Sequence, residues 1–557
     1  MVSRIIDQFH NLSLRSRSFM KYVILLVALF GFCAAPGALH AQGSASPLVT
    51  ISISSQKALL EQASRLVRTV EPDQADSLRS EFAKMLGTPE LAGIDVGRPW
   101  QFAFWFKGME SEPIMASYIP VTDFNVFKRG LTADGILTDA GSNNAILSSG
   151  GFAIVVLGDY SKTKLAPDDM AAVQKWVASV PKSEAHTVHL KLALVDSIRE
   201  QALGMLAMGR MMLLGSVAPP PGTESSFNPA AMTAMLGLYI DMIEGAIKGL
   251  DHLEVELDVT QDHIALFKSV SAVTGSDLAG WLTPGGRSLS SLGGFLNPNA
   301  AVAFASRLQA GPGAVEFLKK ASRLGFEMQN QTLDEASLKR ADELFQVLLP
   351  MNVAGSVWLD GGYRASGVGE IPGDQPAVTY SQILDWLEGI MKSQVGPERI
   401  YSGFDLQRGT RKMDTIPVDR LTLTLNLEAP ALKAAPQQRD VLESMWPGGK
   451  MEVEYALSGN RLHMAAGIPM EQAITPQGGA TILSIDPQTV LVGHYNLVAL
   501  FKGYGASMAF LPPDLLEKFK KLDPAGNAAP FRVNVDGGLK AETRIPLRLL
   551  STLSQLQ

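Results

Sequence analysis

Leu253 to Val259 alternates apolar residues with Glu254, Glu256 and Asp258, turns through Thr260 to Asp262 and returns in Ile264 to Val273. Strict alternation is the period of a half-buried strand and is incompatible with one face of a helix. The pattern recurs three times. Val357-Trp358-Leu359 turns at Asp360-Gly361-Gly362, Met451 to Leu457 turns at Ser458-Gly459-Asn460, and Phe531 to Val535 turns at Asp536-Gly537-Gly538. Glycine supplies the positive φ of tight hairpin turns, so these three carry their own turn chemistry. Each returning strand leads to a helix: Ser276 to Trp281, Thr379 to Met391, Pro469 to Ile474 and Pro546 to Leu556. The expected class is α+β, built of repeated antiparallel strand-hairpin plus helix modules, with twisted sheets covered on one face by helices. The acidic faces of Leu253 to Val259 and of Met451 to Leu457, which carries Glu452 and Glu454, are then expected to look at solvent.

Proline punctuates the same plan. Pro99, Pro298 and Pro487 each stand before an apolar strand-like run (WQFAFWFKG, AAVAFASRL and TVLVGHYNLVALFKG), which suggests three related modules. The expected organisation is a signal peptide over 1–41, a tether and helical segment over 42–92, and α+β modules over 93–290, 291–478 and 479–557, the last truncated. The helical segment is predicted from Ser55 to about Leu86. Ile119-Pro120-Val121, Ile416-Pro417-Val418, Ile468-Pro469-Met470 and Ile545-Pro546-Leu547 repeat a joint at which proline ends strand pairing or opens a helix.

Tyr118-Ile119-Pro120-Val121-Thr122-Asp123 reads as a strand end running into a helix cap, and Asn228 through Leu250 runs into His252-Leu253-Glu254-Val255. In this layout the chain resembles exported bacterial proteins of unknown function that repeat strand, turn, strand, helix units. The resemblance implies an α+β fold and brings no activity with it.

Export is also expected from the N-terminus. Arg4, Arg15, Arg17 and Lys21 precede the uncharged run from Tyr22 to Ala38, and small residues follow around Ala41, Gly43 and Ala45. That is the layout of a cleaved secretory signal, and its apolar part is too short for a span of about 20 residues. Removal of residues 1–41 takes away four basic residues, Asp7 and Cys33, leaving 44 basic against 54 acidic residues, a net charge of −10 and no cysteine. Such a chain has no disulfide or cysteine-ligated metal, and its acidic excess gives no electrostatic reason to bind nucleic acid. No later run has 18 uninterrupted apolar residues, so the mature chain, periplasmic or extracellular, is not expected to span a membrane.

Signatures of catalysis fail on inspection. Gly286-Arg287-Ser288-Leu289-Ser290 lacks the second glycine of a nucleophile elbow. Ser54-Ser55-Gln56-Lys57 and Ser161-Lys162-Thr163-Lys164 match S-x-x-K with no K-T-G after them, and Gly367-Val368-Gly369 has no third glycine at dinucleotide spacing. His186 and His189, three apart, point to opposite sides of a strand. His252, Glu254, Glu256 and Asp258 share a strand face that could ligate a divalent ion, though alternating acids are also how a solvated sheet face ordinarily reads. No catalytic residue, cofactor or metal ligand is assigned.

The most unusual stretch is Leu203 to Leu250. Met205, Met208, Met211, Met212, Met232, Met235 and Met242 lie on two predicted helices, Val195 to Ser216 and Asn228 to Leu250, on either side of Pro219-Pro220-Pro221-Gly222. Methionine fills irregular cores and also makes adaptable contact surfaces for lipid, apolar peptide or a partner helix. Arg210 argues against full insertion into a membrane. The expected function is binding or scaffolding of an apolar ligand or protein partner. The alternative is an exported hydrolase with dispersed catalytic residues.

Overall fold

The computed structural model describes residues 46–70, 92–105, 114–133, 145–157, 167–181, 183–194, 196–216, 228–283, 285–307, 312–328, 335–359, 362–434, 436–476, 483–504 and 513–555. The expected signal segment over 1–41, Ser161 to Lys164 and Pro219 to Gly222 lie outside these residues, as does the predicted helix beyond Val70. The described residues form helices and eighteen strands whose pairings are antiparallel, an α+β architecture. Two compact units divide the chain between Ala207 and Met208.

In the first unit the order is β1 (Val49–Ile53), α1 (Gln56–Val70), β2 (Trp100–Trp105), β3 (Ile114–Pro120), α2 (Phe124–Ala133), β4 (Ala145–Ser149), β5 (Phe152–Leu157), α3 (Pro167–Ser179), β6 (Val188–Ala193) and the start of α4 (Asp196–Ser216). The strands pair in the spatial order β4-β5-β3-β2-β1-β6. Expectation and structure differ over which faces are covered. Trp100, Ile119 and Ala153 pack with Leu60 of α1 and Phe127 of α2 on one side. Ala103, Trp105, Ala116 and Val156 pack with Val173 and Trp176 of α3 on the other. The two indoles meet edge to face at 5.7 Å. Both faces are therefore buried, because β2 is apolar at nearly every position rather than at alternate ones. The joint after β3 forms as expected: Pro120 closes the strand, and Asp123 Oδ1 accepts from the N–H groups of Asn125 and Val126 at 2.9 and 3.0 Å to cap α2.

The second unit runs α5 (Pro229–Gly249), β7 (Leu250–Val259), β8 (His263–Ala272), α6 (Asp277–Trp281), β9 (Val302–Arg307), α7 (Pro312–Met328), α8 (Glu335–Leu348), β10 (Asn352–Trp358), β11 (Arg364–Glu370), α9 (Pro376–Gln394), β12 (Tyr401–Met413) and β13 (Ile416–Leu425). It continues with α10 (Pro430–Ala434), α11 (Pro436–Met445), β14 (Lys450–Ser458), β15 (Arg461–Ala466), α12 (Met470–Ile474), β16 (Thr489–Asn496), α13 (Leu497–Tyr504), α14 (Pro513–Lys521), β17 (Ala528–Val535), β18 (Gly538–Pro546) and α15 (Leu547–Ser554). The hairpins β7/β8, β10/β11, β14/β15 and β17/β18 form where the turn chemistry points, each followed by its helix. Gly459 and Gly537 take φ of 62° and 64° in their turns.

The hairpins are not strung in sequence order. The spatial order is β7-β8-β18-β17-β16-β9-β10-β11-β15-β14-β13-β12. Helices again lie on both faces: Leu387 and Met391 of α9 pack with Leu421 and Val453, whereas Met470 and Ala473 of α12 pack with Val418 and Ala456. Pro469 and Pro546 stand at the N-caps of α12 and α15. Pro417 departs from that pattern and sits inside β13, paired with Lys412.

Candidate functional site

α4 and α5 end and begin within a residue of the sequence expectation. Asn228 has an extended backbone, and its Oδ1 accepts from Ala230 and Ala231 N–H at 3.0 and 3.3 Å. Pro229 at the first helical position adds a pre-set φ. One side of α5 is held by its neighbours. Asn228 N–H donates to Met328 O of α7 at 3.0 Å. Tyr239 meets Phe317 of α7 edge to face at 5.7 Å, and Phe317 in turn contacts Trp281 of α6 at 6.4 Å. Ala231, Ile240 and Gly249 are the buried residues of the helix.

None of the seven methionines is buried. Met208 is 55% exposed, Met211 and Met212 are each 72% and Met232 is 39%, while Met205, Met235 and Met242 are half-buried. Met205 lies in the first unit and the other six lie in the second. Tyr239 and Ile243 add to the exposed apolar area of α5. Arg210 Nη1 reaches Asp241 Oδ1 at 2.8 Å, tying the end of α4 to α5, and Lys248 Nζ reaches Glu244 Oε1 at 2.6 Å. Lys248 holds the Glu244 carboxyl below its ordinary range by hydrogen bond and charge. Among the described residues, α5 is the one helix long and apolar enough to cross a membrane, by length and composition alone.

The other candidates resolve into packing and charge pairing. His252, Glu254, Glu256 and Asp258 lie along β7 half-buried rather than open to water. His252 Nδ1 is 2.6 Å from Asp251 Oδ2, its Nε2 is 3.4 Å from Glu254 Oε1, and Ser269 Oγ donates to Glu254 Oε2 at 3.2 Å. His186 precedes β6, and His189 within it lies 3.4 Å from Glu184. Ser288 Oγ accepts from Ser290 N–H at 3.3 Å as the cap of a short turn of 3₁₀ helix. Gly367 and Gly369 sit inside β11, where a Cβ at Gly369 would lie 2.6 Å from Met351 Cε.

Sequence reasoning missed two polar centres. Buried Asp419 on β13 accepts from Tyr380 Oη of α9 at 2.7 Å and from Gly409 N–H at 2.6 Å. The register shift there gives Gly409, itself exposed, a φ of 60°. Burial, then the Asp419 carboxylate, pushes the Tyr380 phenol far above its ordinary range. In the second centre Arg411 bridges Glu454 Oε2 at 2.7 Å and Glu471 Oε1 at 2.6 Å, with Arg420 3.2 Å from Glu454. The Glu454 side chain is only 15% exposed and is covered by arginine, whereas Glu452 on the same strand is exposed, as expected. These acids are committed to partners that satisfy or neutralise them. Spacing could have hinted at neither centre, since Tyr380 and Asp419, or Arg411 and Glu454, meet only through sheet order.

No family model, curated protein or solved structure matches this chain.

Proposed function

We propose that this chain is an exported binding or scaffold protein rather than an enzyme, with its contact surface on the methionine-bearing end of α4 and on α5. The observation that carries the reading is the 72% exposure of Met211 and Met212 beside a helix whose exposed side chains include Met232, Tyr239 and Ile243. Long flexible thioethers left in water cost stability, and adaptable contact with an apolar ligand or protein partner is their established use. An environment-sensitive dye such as anilinonaphthalene sulfonate should brighten with the native protein, and a Met211→Ser/Met212→Ser variant should lose most of that signal. No native-state brightening would end the reading.

Two further parts of the proposal have their own support. Export rests on the basic then apolar N-terminus, and N-terminal sequencing of the protein recovered from the periplasm or medium should begin at Gln42, Ser44 or Ser46. Descent from three related modules, as in the exported repeat proteins the chain resembles, is supported by β2, β9 and β16 each beginning a few residues after Pro99, Pro298 and Pro487.

A further inference from the structure

Sulfur is sorted by exposure in this chain. Among the described residues the exposed methionines are Met208, Met211, Met212 and Met232, and every other described methionine is buried or half-buried. Met211 and Met212 follow Met208 by three and four residues, so the three share one side of the last turns of α4, while Met232 stands in the first turn of α5. Cysteine offers little competition, because the chain has one, Cys33, in the expected signal segment. A thioether open to water meets any dissolved oxidant, and one sealed in a core does not. The cost of adding an oxygen follows the same division. At Met470, fully buried with Val418 and Ala456, or at Met351, 3% exposed, a sulfoxide oxygen would be a strong acceptor stranded away from water. At the four exposed sites it is solvated at once. Arg210 and Asp241 already form a hydrated pair on the same two helices, with side chains 41% and 60% exposed. Oxidation here changes the polarity of a surface and leaves the packing beneath it intact.

We propose that Met208, Met211, Met212 and Met232 are a site of reversible oxidation to methionine sulfoxide, through which a peroxide turns the apolar contact surface off. This rests on the reading of the same helices as a contact surface and adds its regulation. In the forward step a lone pair of the thioether sulfur attacks one oxygen of hydrogen peroxide. The S–O bond forms as the O–O bond breaks, and sulfur gives up two electrons. The departing hydroxide takes the proton left on the transferred oxygen and leaves as water, so the chain need supply no acid or base. In the reverse step a dithiol on a methionine sulfoxide reductase returns the thioether, the oxygen leaves as water and the dithiol becomes a disulfide. Each conversion exchanges a flexible apolar tip for a polar one. Six large apolar side chains are exposed on α4 and α5, and after oxidation only Tyr239 and Ile243 of these remain apolar.

The test exposes the native protein to hydrogen peroxide, removes the oxidant by desalting and locates added oxygen at each methionine by peptide mass spectrometry. Met208, Met211, Met212 and Met232 should convert first, while Met351 and Met470 stay reduced and the urea midpoint holds. Anilinonaphthalene sulfonate fluorescence should then fall severalfold and return after treatment with the two epimer-specific methionine sulfoxide reductases and dithiothreitol. Met208→Leu/Met211→Leu/Met212→Leu/Met232→Leu keeps an apolar surface that peroxide cannot oxidise, so it should brighten the dye and hold that signal through the same treatment. The proposal is overturned by conversion that begins at Met351 or Met470, by a urea midpoint that drops as the four convert, by dimming of the leucine variant equal to that of the parent, or by a loss that the reductases do not reverse. If the untreated protein brightens the dye and conversion of the four leaves it bright, the contact surface stands and its control by oxidation falls. If the untreated protein never brightens the dye, both readings fall.

Discussion

His463 and His494 are 2% and 1% exposed, and burial lowers the pKa of each below the ordinary histidine value. His494 Nε2–H donates to Ala300 O at 3.2 Å, a bond the neutral ring already makes. Unfolded histidine titrates near about 6.5, so below that pH the unfolded chain takes up protons that the fold refuses. Stability from these two sites is complete above about pH 6.5 and is lost as the pH falls toward their folded values. The urea midpoint should therefore drop between pH 7.5 and 5.5, and His494→Gln, which keeps a donor for Ala300 O, should flatten that slope. Carboxylates act lower on the scale: Arg411 hydrogen bonds depress Glu454 and Glu471, and their contribution is lost only as the pH falls below about 4.5. At Asp419 the expected cost of substitution is larger. Asp419→Ala would orphan the half-buried Tyr380 Oη, at roughly 1–3 kcal/mol, and release the exposed Gly409 N–H to water, whereas Asp419→Asn retains an acceptor and should lose less. Equilibrium urea unfolding of the two variants checks the ranking.

Elements were legible where local chemistry decides them. α5 was readable almost to the residue because Asn228 caps it and Pro229 fits its first turn, and the four hairpins were readable from alternation and turn glycines. What alternation hides is coverage: the near-continuous apolar run of β2 signalled burial on both faces, but the neighbours that deliver it, Phe127 and Trp176, are distant in sequence. The composition of the methionine helices was equally visible, and their exposure was not, since alanine, leucine and methionine occur all round both helices. Their exposure has a stability consequence. Met211→Ser/Met212→Ser should leave the urea midpoint nearly unchanged, within about 0.5 kcal/mol, because no packed neighbour is lost. Gly493 in β16 is the opposite case. A Cβ there would collide with the Ala303 carbonyl oxygen of β9, so Gly493→Ala should destabilise by roughly 1–3 kcal/mol in the same measurement.

For the second unit as a whole, twelve strands in one antiparallel order put β12 at an end, paired among the described residues with β13 and, at Tyr401 alone, bridged to Val395. An exposed strand of thirteen residues invites pairing with another chain, and β12 meets that hazard with Asp405, Arg408, Arg411, Lys412 and the bulge at Gly409. Arg408→Thr/Lys412→Thr should make the protein associate as concentration rises, which sedimentation velocity would detect. The same strand order also has a meaning in time. β8 waits for β18, some 270 residues later, and β9 waits for β16. A nascent chain therefore carries open strand edges until its last hairpin emerges, and deletion of Gly538–Pro546 would strip a partner from both β17 and β8 rather than trim an end. The sheet of the second unit is therefore held open until β18 arrives, however much of the chain before it has already folded.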